Sequence, residues 1–459
     1  MQARSQATRI GIALLSVAGA VAGWAQDAPL RLKDAVQRAA ERYPSIRVTR
    51  DQVNEAAAAI TLARTAFLPR IDGIAQVNRA TTNNVFGLML PNAVIPPISG
   101  PQIDGSQTRS VFGTAIGVLV SWEPFDFGRR KAEVDVSAAA KARAEAAVLR
   151  TKLDVTAAAA DAYLSALAAE QAVAAAKAGI TRYKEFETII AALTKAELRP
   201  GADLSRIQAE AILVETQVVR AEQAVAQARA LLEQYTGAPV RELDGAALLR
   251  VETKPWTVGA GFASHPQMVE QQRSIEEILA RLRSIEKGWY PKFALQGAAF
   301  GRGTGARVTG PYAGGGYGLY PDHGNWAVGF TATFPVLDYK QLRARKEMEL
   351  QRQKQEESRR ELVERELSGK LAQAQAQLEG TRRVAELAPR QVKALQSVLE
   401  QVEARYRSGL GTLLEVADAQ RQLTQAEIDA SLARLSVWRA ELAVAYAQGD
   451  LAPLLERLP

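Results

Sequence analysis

The stretch SWEPFD at Ser121–Asp126 returns in altered form as TFPVLD at Thr333–Asp338, and a long helix-forming segment follows each copy. Other features repeat at a fixed interval, because prolines 44 and 266, like prolines 69 and 291, are 222 positions apart. Each half of the chain therefore shows the same order of a helix, two strands, a very long helix, a sharp turn and a returning helix. Such internal repetition indicates a duplicated fold.

The long helices follow from composition and periodicity. Gly128–Leu198 contains no proline and almost no glycine, and at ~1.5 Å per residue it predicts a rod of about 105 Å. A second rod is expected at about Asp338–Arg405, with Gly380 and Pro389 as mild interruptions. Apolar residues at alternating spacings of three and four in the returning segments are typical of coiled coils. The shorter helices are predicted at Leu32–Phe67, Asp203–Tyr235, Pro266–Lys287 and Thr412–Ala447.

Four stretches of about ten residues alternate between apolar side chains and small or polar ones, a pattern typical of strands in outer-membrane barrels. They are Ile71–Val77, Phe112–Trp122, Phe293–Ala299 and Trp326–Phe334. The alternative is an ordinary soluble hairpin domain. Four strands cannot close a barrel, since the smallest have about eight, so two chains would supply eight strands and three would supply twelve. The segments Asn83–Gln107 and Gly301–Gly324 are predicted to be extracellular loops.

The N-terminal segment has the features of a secretory signal peptide. Arg4 and Arg9 precede the apolar run Ile10–Val21, and cleavage is expected before Gln26. A membrane anchor is the alternative, although the run is shorter than the ~20 residues of a spanning helix. The expected organisation is a signal peptide at 1–25, a first repeat at 26–240, a linker at 241–262, a second repeat at 263–449 and a C-terminal tail at 450–459.

The amino-acid composition argues against catalysis, metal binding and nucleic-acid binding. The chain has no cysteine, which excludes disulfides, thiol catalysis and lipid attachment to an N-terminal cysteine. Its two histidines, His265 and His323, lack a second ligand at metal spacing, so no metal site, cofactor or enzyme activity is expected. The net charge of +7 is spread over helices of mixed sign, which favours solvated faces over nucleic-acid binding.

Three motifs carry a resemblance to a known family. Arg405–Leu423 combines an Arg-Tyr pair, a glycine turn and two acidic residues followed by Ala, Gln and Leu. Phe125–Arg130 is similar to the family's strand-to-helix turn, and Ala66–Pro69 to its helix-to-strand transition. On these motifs the chain resembles the TolC-type outer-membrane efflux family, in its non-lipidated branch, over essentially the whole mature length. The second strand-to-helix turn departs from the pattern, with Tyr339-Lys340 where the family usually has glycine.

This resemblance implies a mainly α fold with a small β part. A long α-helical barrel of coiled-coil hairpins in the periplasm would join a trimeric 12-stranded outer-membrane β-barrel in contact with lipid, with four strands from each chain. The homotrimer would be a passive channel. A periplasmic adaptor would contact its hairpin tips, and an inner-membrane pump would supply the energy. The residues expected at the tips are Arg199, Pro200, Gly201, Asp203, Arg407, Ser408, Gly409, Leu410 and Gly411.

An acidic pair lies close to the second tip. Glu415 and Asp418 are three residues apart and share a helix face, so three copies would form stacked carboxylate rings at the channel entrance, with Tyr406 as a further candidate for the constriction. The alternative is that both face solvent or pair with Arg421 and Arg407.

Two other functions stay open beside drug or metabolite efflux. The same fold would serve a type I secretion system that exports proteins, or a heavy-metal efflux duct. A cell-surface coiled-coil protein without transport activity is the remaining class.

Overall fold

The computed structural model describes residues 29–81, 110–197, 200–249, 261–305 and 315–457. The predicted signal peptide, the loop at 83–107 and Arg199 lie outside these residues. The elements in chain order are α1 (Leu32–Arg42), α2 (Pro44–Thr65), β1 (Arg70–Thr81), β2 (Ser110–Phe125), α3 (Arg129–Lys195), α4 (Gly201–Thr236), α5 (Pro266–Glu286), a 3-10 turn (Lys287–Trp289), β3 (Lys292–Thr304), β4 (His323–Thr333), α6 (Tyr339–Arg407), α7 (Leu413–Gln448) and α8 (Ala452–Glu456).

Two rods, α3 and α6, set the length of the molecule. They contain 67 and 69 residues, which corresponds to about 100 Å each. Helices α2 and α4 lie along one side of α3, whereas α5 and α7 lie between α3 and α6. The helical part is therefore a layer four helices wide, with α2 and α4 at one edge and α6 at the other.

One helix boundary differs from the sequence-based prediction. The segment 32–67 was expected to be one helix, and this prediction was wrong because the chain breaks at Tyr43. Tyr43 is extended, with φ −65° and ψ 129°, and Pro44 begins α2. A residue before proline is driven out of the helical region, whereas proline itself fits the first helical position. Pro389, by contrast, lies inside α6 without ending it, so the long second rod is confirmed.

The four strands form one antiparallel sheet in the order β1-β2-β3-β4. The register pairs Ile71 with Val120 and Trp122 with Leu295 across neighbouring strands. Paired residues share a face, and this face, here called the apolar face, carries the exposed large side chains Ile71, Val77, Ile116, Val118, Trp122, Leu295, Trp326, Val328 and Phe330. The predicted alternation is thus confirmed. Among the described helices, none combines the length and hydropathy of a transmembrane segment.

The passage from β2 into α3, residues 123–130, is called the first joint. Gly128 adopts φ 83°, and this turns the chain toward Asp126. The Asp126 carboxylate accepts hydrogen bonds from the backbone N–H of Gly128 at 3.1 Å and from the backbone N–H of Arg130 at 2.7 Å. The Arg130 guanidinium donates to Asp126 at 2.8 Å and to the carbonyls of Ala66, at 2.9 Å, and Glu123. One buried arginine therefore joins the end of α2, strand β2 and the start of α3.

The equivalent passage in the second repeat, residues 335–342, is called the second joint. Asp338 is retained at the helix start, but its side chain makes no capping hydrogen bond. Lys340 stands in place of Gly128, and Leu342 stands in place of Arg130. Val336 and Leu337 are exposed here. The departure from the family pattern at Tyr339-Lys340 therefore accompanies a joint without a polar centre.

The segment that follows α4 packs against the middle of the helical layer. Leu30 pairs with Leu243 in a short parallel bridge, and the Tyr163 hydroxyl lies 3.0 Å from the Leu30 carbonyl oxygen. The Trp438 indole donates to the carbonyl of Leu248 at 2.9 Å. The described part of the expected linker is thus bound to the core by side chains from α3 and α7.

Candidate functional site at the hairpin tips

The second tip, between α6 and α7, reverses the chain through a glycine. Gly409 has φ 80°, its N–H donates to the Tyr406 carbonyl at 3.1 Å, and the Leu410 N–H donates to the Arg405 carbonyl at 2.9 Å. These two bonds form a Schellman motif, which satisfies carbonyls at the end of α6. Leu410 projects from the turn with 74% of its surface exposed. Arg407, Ser408 and Gly409 are also exposed, whereas Gly411 is half-buried.

The first tip, between α3 and α4, is described on both sides of Leu198 and Arg199. Glu197 follows α3 with φ 58°, and Pro200 precedes the first residue of α4, Gly201. The Asp203 N–H donates to the Pro200 carbonyl at 3.1 Å. Since proline before a helix start fixes an extended approach, this residue directs α4 back along α3.

A hydrophobic cluster joins the two hairpins near their tips. Apolar side chains from α3, α4, α6 and α7 meet in it, including Phe186, Ile207, Leu399 and Val416. The Phe186 and Tyr406 rings lie 5.6 Å apart between centroids. Because all four helices contribute, the tips form one packed unit in the chain.

Tyr406 is the polar link within this cluster. Only 1% of its surface is exposed, and its hydroxyl donates to the Asp203 carboxylate at 3.2 Å. The end of α6 is thereby bonded to the start of α4. The structure thus brings together two residues that the sequence placed in different roles, Tyr406 at the constriction and Asp203 at the adaptor surface.

A second tyrosine lies deeper in the cluster. The Tyr183 hydroxyl donates to the Ala417 carbonyl at 3.0 Å, joining α3 to α7. Burial, together with the nearby Glu210 carboxylate, raises the pKa of Tyr183 to about 12, so the hydroxyl stays a donor at any physiological pH. Sequence reasoning missed Tyr183 and Phe186. Their spacing with Ile190, at intervals of three and four residues, was the available signal.

The acidic pair lies on the first turns of α7. Glu415 is exposed, and its backbone N–H is capped by the Thr412 hydroxyl at 3.4 Å. Asp418 is half-buried and pairs with Arg421, and it accepts a hydrogen bond from Gln422 at 2.6 Å. Arg407 pairs instead with Glu403 at 3.3 Å. Among the described residues of one chain, therefore, Glu415 forms no ion pair, whereas Asp418 is partly neutralised by Arg421.

The described residues contain no group of three or more His, Asp or Glu side chains placed to hold a metal ion. Of the two histidines, His265 accepts a hydrogen bond from the Gln267 N–H at 3.1 Å and so caps α5. Burial lowers the pKa of His265, which favours the neutral ring that this acceptor role requires.

A family model described as outer membrane efflux protein matches residues 35–238 and 262–450. No curated protein matches the chain. Among solved structures, the outer-membrane channel OprN is 19% identical with a TM-score of 0.72, covering 91% of this chain and 89% of its own. CusC is 15% identical with a TM-score of 0.75, covering 91% and 92%. The open-state MtrE outer membrane channel of Neisseria gonorrhoeae is 20% identical with a TM-score of 0.70, covering 92% and 89%.

These similarities agree with the duplicated architecture of helical hairpins and four strands. The predicted fold class and outer-membrane location are therefore confirmed. Because the family model spans most of the chain, the protein belongs to the outer membrane efflux protein family and resides in the outer membrane.

Proposed function

We propose that three copies of this chain form the passive exit duct of a tripartite efflux system. The observation that carries the proposal is the position of the unpartnered edges. β1 and α2 lie at one edge of the chain and β4 and α6 at the other, so the sheet and the helical layer end together on both sides. A head-to-tail ring would pair β4 of one copy with β1 of the next, and the backbone groups at both edges would be satisfied in lipid.

The helical edges carry side chains suited to the same contact. Ile212, Leu213 and Val219 are exposed on α4, and Val384 and Leu387 are exposed on α6. A seam between α4 of one copy and α6 of the next would remove these apolar surfaces from water. The family supports three copies rather than two, which gives twelve strands and a helical layer twelve helices around.

The tips would be the end at which the duct receives its substrate. In this arrangement Glu415 and Asp418 from three copies form two carboxylate rings around the entrance, which attract cations and repel anions. The exposed turn around Leu410, with Arg407 and Ser408, would contact the periplasmic adaptor. Energy would come from an inner-membrane pump. The Tyr406–Asp203 bond holds the two hairpins of a chain together, and its loss would favour opening.

Planar-bilayer recording tests the rings. Replacing both Glu415 and Asp418 with Ala removes six carboxylates from the entrance of a trimer, so cation preference and block by multivalent cations should weaken. Asp418→Asn should show part of this effect. The matched control removes Glu361 and Glu364, two exposed carboxylates three apart on α6. Unchanged selectivity in an intact trimer of the double variant would place these residues outside the entrance.

The transport role itself is tested in a deletion strain complemented with this chain. Efflux predicts increased sensitivity to small toxic compounds, and restoration by the wild-type gene. Sensitivity to metal ions alone would indicate a heavy-metal duct, whereas loss of an exported protein with unchanged sensitivity would indicate a type I secretion duct. A cysteine cross-linker placed at Leu410 should capture the adaptor in the complemented strain, and its failure beside restored resistance would contradict the tip assignment.

A further inference from the structure

The end of the sheet farthest from the helices carries a cation on the apolar face. Arg79 of β1 pairs with Phe112 of β2, and its guanidinium lies 5.0 Å from the centroid of the Phe112 ring. The Arg79 Nε donates to the Ser110 hydroxyl at 3.0 Å. Arg79 is exposed, and within the part of the chain that the structure describes no carboxylate forms an ion pair with it.

A loop folds back over the same face beside Phe112. The Thr114 hydroxyl donates to the Gly318 carbonyl at 2.9 Å, and Thr114 is paired with Gly303 in the sheet. A Cβ placed on Gly303 would lie 2.2 Å from the Tyr320 carbonyl oxygen, so the loop backbone occupies the space where a side chain would stand. Glycine at 303 therefore permits this close approach.

The loop that precedes β4 exposes three large side chains on its surface. Tyr317, Leu319 and Tyr320 are all exposed, Tyr320 to 79%. Together with Arg79 and Phe112, which lie at the same end of the sheet, they are called here the rim patch. Tyrosine is enriched at membrane–water boundaries because its ring is apolar and its hydroxyl is polar. The rim patch thus combines boundary aromatics with a positive charge that no carboxylate among the described residues neutralises.

The position of the rim patch along the strand fits the membrane boundary. Trp122, near the helical end of β2, shares the apolar face with Phe112, and the two are separated by roughly ten residues, or about 34 Å along the strand. At a tilt of ~40° this corresponds to about 26 Å along the membrane normal, close to the ~25 Å height of the apolar band of such barrels. Arg79, opposite Phe112, therefore lies at the outer boundary, where a cation costs little.

We propose that the rim patch binds the phosphate-bearing headgroup of a lipid in the outer leaflet. Arg79 would contact the phosphate, because a guanidinium presents donors in a geometry that matches phosphate oxygens. Tyr317, Leu319 and Tyr320 would lie against the upper part of the acyl chains. The proposal depends on the outer-membrane location and on the apolar face of the sheet, and it is independent of what the duct transports.

A pair of arginine variants tests the headgroup contact. The purified protein in micelles is mixed with a phosphorylated glucosamine-based lipid or with its dephosphorylated form, and binding is measured by native mass spectrometry. Arg79→Gln should weaken binding of the phosphorylated lipid roughly fivefold, the effect of one basic residue near an anionic surface. The matched control is Arg302→Gln, since Arg302 pairs with Ala115, three residues from Phe112 along β2, but lies on the opposite face.

The headgroup assignment would be overturned if the wild-type protein bound the phosphorylated and dephosphorylated lipids equally. Equal weakening of binding in both arginine variants would also overturn it. The position of the loop is tested separately with Tyr320→Cys, which is a unique labelling site because the chain has no cysteine. A fluorophore at this position should be quenched by brominated lipid after reconstitution, whereas one at Leu410→Cys on the exposed tip should not be. An unquenched probe at Tyr320→Cys would show that the loop lies in water and would overturn the proposal.

Discussion

The two joints start from related sequences and reach different solutions. Both retain an aspartate at the start of a rod, but Asp126 accepts three hydrogen bonds from Gly128 and Arg130, whereas the Asp338 side chain makes no capping bond. The difference arises from neighbours two and four positions later, where Gly128 and Arg130 are replaced by Lys340 and Leu342. Duplication thus preserved the order of elements, while the polar centre exists only in the repeat whose glycine allows the turn.

Removal of the Asp126 charge should produce the largest difference between the joints. Asp126→Asn leaves the Arg130 guanidinium buried, with 4% of its side chain exposed, so we expect a loss of about 3 kcal/mol in the free energy of unfolding. Asp338→Asn should change it by less than about 0.5 kcal/mol, as is usual for surface substitutions. Urea denaturation in micelles, followed by far-UV circular dichroism, measures both. Equal effects would show that the two joints are energetically alike.

The backbone turn should contribute the next largest effect. Gly128 has φ 83° and nothing lies within 4 Å of an added Cβ, so Gly128→Ala would cost only the conformational strain, about 1–2 kcal/mol. Lys340→Ala, at the corresponding helical position, should be nearly neutral. The same denaturation assay compares the two variants. A neutral Gly128→Ala would mean that the turn follows from the Asp126 bonds and does not require glycine.

The hairpin tips, at the opposite end of the rods from the joints, contain a polar link of their own whose contribution can be measured. Tyr406→Phe removes the bond to Asp203 and should cost about 1 kcal/mol, with a roughly fivefold rise in the open fraction of the channel in planar bilayers. Tyr446→Phe is the control, because Tyr446 donates to Asp154 at 2.8 Å in an equivalent pair remote from the tips. Its conductance should match the wild type. A similar rise in both variants would indicate general loosening of the helices.

The smallest expected effect is the dependence on pH of the stabilisation that Asp126 provides. Burial raises the pKa of Asp126, but the bonds from Arg130 and Gly128 outweigh it, so the net pKa lies below the ordinary 3.8. The stabilisation by ionised Asp126 is therefore complete above the unfolded pKa and is lost as pH falls through the folded value. The difference in unfolding free energy between wild type and Asp126→Asn should stay constant down to about pH 5 and then shrink. A difference that is unchanged at about pH 3 would contradict the shift.

Periodicity was sufficient to predict the rods, the returning helices and the alternating strands, because each is decided by local spacing of side chains. It failed at Tyr43–Pro44, where a single proline divided a segment that was expected to be one helix. At the tips, the turn at Gly409 was predictable from glycine alone. The contact between Tyr406 and Asp203 was not, since it joins residues about 200 positions apart through packing of four helices. The sequence left two interpretations of Asp418, a carboxylate ring at the entrance or an ion pair with Arg421, because the same helix spacing allows both. Within the chain the structure shows the ion pair.

The central strand pair of the sheet determines when the protein can insert into the membrane. β2 ends at Phe125 and β3 begins at Lys292, so a complete helical hairpin and the segment after it separate two strands that are bonded to each other. Closing so long a loop is slow and entropically unfavourable. A chain exported only as far as the start of β3 would contain a β1–β2 hairpin and no other strand, and such a hairpin is at best marginally stable alone. We therefore expect insertion to be a late event, because export must deliver the chain beyond Lys292, about two-thirds of its length, before the sheet can become stable in lipid.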